Sequence, residues 1–75
     1  MVFERVVRII CDLLELDENE IFPETSIVDD LGADSVQVYE IFIDLEDEFD
    51  LDIPDEDAEE LRTVSDIVGY LEERI

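Results

Sequence analysis

The chain reads as an all-α protein: a small antiparallel bundle of three main helices plus one short helix, with a long loop between helices one and two. Three observations predict it. Apolar residues recur at helical spacing in the segments that begin at Val2, Ser35 and Val64. Cap signals precede two of these segments, Asp34 with Gln37 and Thr63 with Asp66. No stretch alternates apolar and polar residues as a half-buried strand does. With 75 residues, no internal repeat and no composition break, residues 1–75 are expected to form a single domain.

The first helix is predicted over Val2 to Leu14. Phe3, Val6, Val7, Ile10, Leu13 and Leu14 fall on one face, and Glu4, Arg5, Arg8, Asp12 and Glu15 on the other. Cys11 lies at the edge of the apolar face, as a small, partly buried side chain. Residues 16–34 read as a long connection, punctuated by Pro23, Thr25, Ser26 and Gly32. Its Leu16, Ile21, Phe22, Ile27, Val28 and Leu31 are expected to pin it onto the helices. A loop this long inside a small domain is either functional or hides a short helical turn.

The second helix is predicted over Ser35 to Phe49. The segment Asp50-Leu-Asp-Ile-Pro54 ends it, because the residue before a proline is pushed away from helix. Asp55 to Glu60 reads as a short third helix, with acids at its start as the helix dipole favours. Thr63 caps the last helix, whose apolar face is Val64, Ile67, Val68 and Leu71. Gly69 lowers its propensity locally.

Charge narrows the partners. Asp and Glu number 25 against four arginines, a net charge of −21, and 21 of the acids lie between Arg8 and Arg62. Such a chain is repelled by nucleic acid and by anionic membranes, so its partners are expected to carry basic patches. Hydrophobic residues at 47% are too many for a disordered acidic tail. The N-terminal segment lacks the apolar core of a signal peptide, and no apolar run reaches the roughly 18–20 residues of a membrane span. A cytoplasmic monomer is the expectation.

With no histidine and one cysteine, no zinc or thiolate metal site is expected. Asp50, Asp52, Asp55 and Asp57 crowd together, but Pro54 interrupts them and no glycine sits at the sixth position from Asp50, so a dedicated calcium loop is not expected either. Loose divalent cation binding to the carboxylates is, because it relieves self-repulsion.

Helix two carries more apolar residues than a core needs. Val38, Ile41, Phe42, Leu45 and Phe49 follow i, i+3, i+4, i+7, i+11 spacing and form the core stripe. Val36, Tyr39 and Ile43 form a second stripe, more than a quarter-turn away. Glu40, Glu46 and Asp47 flank it. An exposed apolar strip rimmed by carboxylates suits a partner surface. At the mouth of this helix Gly32 permits a sharp turn, Asp34 caps, and Ser35 stands at the positive end of the dipole, which favours a phosphate.

The run Asp-Leu-Gly-Ala-Asp-Ser at 30–35, followed by Glu40, Leu-Glu-Asp-Glu-Phe at 45–49, Ile-Pro-Asp at 53–55 and Thr63-Val64, resembles bacterial fatty-acid-type acyl carrier proteins over nearly the whole chain. The resemblance implies a protein that is not an enzyme and that carries acyl groups as thioesters on a 4'-phosphopantetheine arm attached to Ser35. A phosphopantetheinyl transferase would install the arm from coenzyme A with Mg²⁺, and Asp34 would hold the turn and meet a basic residue of that transferase. The partner face would comprise Asp34, Val36, Tyr39, Glu40, Ile43, Glu46 and Asp47, serving acyl-transferring enzymes of fatty acid biosynthesis. An acyl pocket is expected from Val38, Ile41, Phe42 and Leu45, with Val7 and Val68 as neighbours.

The chain departs from the family pattern at Val36, Gln37, Tyr39 and Ile43, where a leucine, an acid and smaller or more flexible apolar residues are usual. That leaves open which pathway is served, a polyketide or other specialised route included. An aminoacyl carrier, such as a D-alanyl carrier, would share Ser35 and the fold. An acidic binding module without a prosthetic group is the remaining alternative.

Overall fold

The computed structural model describes all residues, Met1–Ile75. It contains four α-helices and no strand: α1 Val2–Leu14, α2 Ser35–Phe49, α3 Asp55–Ala58 and α4 Val64–Glu72. The limits of α1 and α2 coincide with those expected from periodicity. The loop between them does hide a short element, a 3₁₀ turn at Glu18–Glu20. α3 is shorter than the expected 55–60, because the chain tightens into i→i+3 bonds, Glu60 N to Asp57 O and Leu61 N to Ala58 O, that carry it away from the helix axis.

Both α2 and α4 begin with reciprocal caps. Asp34 Oδ1 accepts from Gln37 N at 2.8 Å while Gln37 Oε1 accepts from Asp34 N at 3.0 Å. Thr63 Oγ1 and Asp66 make the matching pair at the start of α4. The C-termini of α1 and α2 are closed by non-glycine residues in the left-handed region, Glu15 (φ 57°) and Asp50 (φ 53°). Sequence reading did not anticipate either, since glycine is the usual signal.

One core of 15 buried residues joins the elements. Val6, Ile10, Ile41, Leu45, Val64, Ile67 and Leu71 are fully enclosed. α1 packs against both α2 and α4, whereas α2 and α4 approach each other at few points. The long loop fills much of that gap. Ile21 and Ile27 are buried, and Leu16 and Leu31 half-buried. Phe22 and Val28, expected to pin the loop, instead stand 55% and 56% exposed. Backbone bonds tether the loop to the start of α4: Ile27 N to Arg62 O at 3.0 Å, Val64 N to Thr25 O at 3.0 Å and Ser65 N to Pro23 O at 2.8 Å. Thr25, the one buried polar residue, spends its hydroxyl on Phe22 N.

Candidate functional site

Ser35 is the first residue of α2 and is exposed. The loop delivers it there in two steps. Gly32 takes φ +71°, a conformation that side chains disfavour, so the chain reverses just before the helix. Ala33 is then buried, which anchors the turn, and Asp34 adopts extended backbone and caps. The hydroxyl therefore projects at the helix mouth, where the first N–H groups lack intrahelical partners and the dipole is positive.

The two stripes of α2 separate as expected. Ile41, Phe42, Leu45 and Phe49 are buried and Val38 is half-buried, while Val36 and Tyr39 are 65% and 62% exposed and Ile43 is exposed too. Asp34, Glu40 and Asp47 are exposed around this strip. Glu46 differs: it is half-buried, and its Oε2 accepts from Ile53 N at 2.8 Å, tying down the segment after α2. Its carboxylate is partly committed to the fold.

Two depressions flank α2. A groove of about 420 Å³ runs from Ser35 past Tyr39, Ile43, Ile53 and Asp55, between α2 and α3. A cavity of about 260 Å³ lies deeper, bounded by the long loop, α2, the segment around α3 and the start of α4. Val38, Phe42, Ala58 and Glu59 border both, so the groove beside Ser35 and the cavity share one wall. Of the six residues expected to form an acyl pocket, Val38, Ile41 and Phe42 line this cavity. Leu45 and Val7 are buried in the core away from it, and Val68 is half-buried without bordering it. Ile27, Val28, Ala58, Leu61 and Ile67 complete its apolar lining, and Ser26, Asp29, Glu59 and Arg62 are its polar members. The apolar character of loop residues 27 and 28 was the available signal, but their partner across the gap was not readable from spacing.

No group of three or more His, Cys, Asp or Glu side chains converges as metal ligands do. Cys11 is buried, more deeply than its edge position implied. Burial pushes its thiol up, and the carboxylates of Glu18, Asp12, Asp17 and Glu20 push in the same direction.

Residues 4–71 match the sequence family described as "Phosphopantetheine attachment site". An acyl carrier protein of Clostridium acetobutylicum is 51% identical over 71 residues, 95% of this chain and 92% of that protein. The solution structure of a candidate acyl carrier protein from Anaplasma phagocytophilum superposes with a TM-score of 0.90 at 29% identity, covering 97% of this chain and 86% of that one.

Proposed function

The chain belongs to the acyl carrier protein family, whose phosphopantetheine attachment site it matches over residues 4–71, and on that premise we propose that Ser35 is the attachment point and that the whole chain works as one carrier domain in fatty acid biosynthesis. The observation that carries the assignment is the exposed Ser35 at a capped helix mouth, on the rim of the groove between α2 and α3.

The residues present fit the group. Bound there, the arm supplies a terminal thiol that holds acyl groups as thioesters. Ser35 offers the hydroxyl, with no histidine in the chain to activate it, so the base comes from the transferase. The open N–H groups of the first turn of α2 favour a phosphate linked to Ser35. Asp34, held rigid by Gln37, keeps the turn and presents a carboxylate to a basic transferase surface. Val36, Tyr39 and Ile43, with Glu40, Asp47 and the free oxygen of Glu46, form the docking strip for enzymes with basic patches. Val38, Ile41, Phe42, Ile27, Leu61 and Ile67 cover an acyl chain and exclude water from it. That apolar lining favours fatty acyl over aminoacyl cargo. No helix is long and apolar enough to cross a membrane, and a cytoplasmic setting is part of the reading.

The test is intact-mass measurement after incubation with coenzyme A and a phosphopantetheinyl transferase. One arm's mass is expected on the wild type and none on Ser35→Ala. Modification that survives Ser35→Ala, or none with several transferases, overturns the assignment.

A further inference from the structure

α3 is the least anchored helix of the four. It has four residues and no side-chain cap, and its backbone bonds close on its own turn and on Pro54. Yet Ala58 and Glu59, followed by Leu61 and Arg62, build one wall of the cavity. Ala58 and Glu59 also border the groove beside Ser35, so they belong to the wall that the two share. A wall so placed controls access, and its freedom depends on what holds it.

One side-chain hydrogen bond reaches into α3. Tyr70 of α4 donates its phenolic proton to Asp57 Oδ2 at 2.6 Å. The length is that of a charge-assisted bond, about twice as strong as a neutral one. Tyr70 is itself held from the far side. The Arg74 guanidinium lies 3.5 Å from the ring centroid and its Nη1 donates to Tyr70 O at 3.1 Å. The cation stacked on the ring keeps the phenol aimed at α3. The bond also raises the affinity of Tyr70 for its proton, as donation to a carboxylate must.

We propose that Tyr70, steadied by Arg74, latches α3 through Asp57 and thereby sets how readily an acyl chain passes between the groove and the cavity. Neither Tyr70 nor Asp57 borders the groove or the cavity, so both are positioning residues that act through Ala58 and Glu59. The latch rests on the acyl-cavity reading given above. In a chain with four arginines against 25 acids, one of the few cations lies over this tyrosine ring while making only a long, exposed pair with Glu73 at 3.7 Å.

The test has two arms that fail separately. In the protein without its arm, amide hydrogen exchange is followed in the wild type, Tyr70→Phe, Asp57→Ala and the double variant. Exchange at residues 57–61 is expected to quicken roughly tenfold in each single variant and no further in the double, the loss of one hydrogen bond to a charged acceptor. Amides of Ile10, Leu45 and Leu71 are expected to keep their protection, and Asp57→Asn, which retains an acceptor but not its charge, to fall between the wild type and Asp57→Ala. Unchanged exchange at 57–61 overturns the latch. In the second arm, octanoyl and acetyl thioesters on the arm are cleaved with hydroxylamine. The wild type is expected to shield the octanoyl form, and Tyr70→Phe to lose several-fold of that shielding. Equal cleavage of both thioesters in the wild type overturns the cavity reading instead. Faster exchange with unaltered shielding overturns the coupling between them.

Discussion

Cys11 and Ser35 show how one fold treats two nucleophilic side chains. The serine is lifted to a helix mouth, while the thiol is folded into the face of α1 and overlooked by carboxylates from the 3₁₀ turn. Because burial and those acids push the thiol's pKa above its ordinary value, the native state prefers the protonated form. This contribution to stability is therefore present below the ordinary cysteine range and is lost as pH climbs through the raised native value. Alkylation with iodoacetamide is therefore expected to be slow in the native protein. Its rate should rise at higher pH than in the denatured chain, where the thiol is near its usual pKa of about 8.5. Coincident pH profiles for the two states would contradict a hidden thiol. Sequence alone placed Cys11 at the rim of the apolar face. It could not supply the acids, because Asp17, Glu18 and Glu20 approach only through a turn that periodicity left open.

At the scale of the element, local signals were legible wherever helix chemistry is local. The Asp34–Gln37 and Thr63–Asp66 spacings told where α2 and α4 start, since a cap is satisfied within four residues. The helix ends were harder. Glu15 and Asp50 close α1 and α2 in a conformation that costs an L-residue roughly 1–2 kcal/mol, and no glycine advertises them. The cavity was half legible for a related reason. Its α2 wall follows from spacing, but its loop and α3 walls follow from bonds such as Ile27 N to Arg62 O, between residues far apart in the chain. The strained caps give a test. Glu15→Gly is expected to raise stability by about 1 kcal/mol, by removing the left-handed penalty and a negative charge from the negative end of α1. Glu15→Gln removes only the charge and should recover well under half of the gain. Urea unfolding midpoints of the two variants measure it. Equal gains would mean that charge, not backbone conformation, is the cost at this position.

For the whole molecule, the balance is between one small core and a large like-charge surface. The radius of gyration, 11.0 Å, is what about 75 closely folded residues require, so the long loop is drawn in rather than left loose. Against that packing stands a net charge of −21 with few counterweights. Arg5 bridges α1 to the end of α2 through Glu48 Oε2 at 2.8 Å and lies over the Phe49 ring. Arg74 and the N-terminus make long, exposed pairs with Glu73 and Glu4, and Arg8 and Arg62 make none. Exposed pairs contribute about 0–1 kcal/mol each, too little to offset so many unpaired carboxylates. Repulsion should therefore limit stability, and screening should relieve it, since the Debye length falls from about 30 Å at 0.01 M salt to about 10 Å at 0.1 M. Raising sodium chloride across that range is expected to lift Tm. Each 1 kcal/mol relieved is worth roughly 4–8 °C in a domain of this size. Magnesium chloride at the same ionic strength separates two causes. Simple screening gives equal shifts for both salts, whereas bridging of neighbouring acids such as Asp50, Asp52 and Asp55 gives a larger shift with the divalent ion. A Tm that stays flat or falls with both salts would show that packing, not charge, sets the margin.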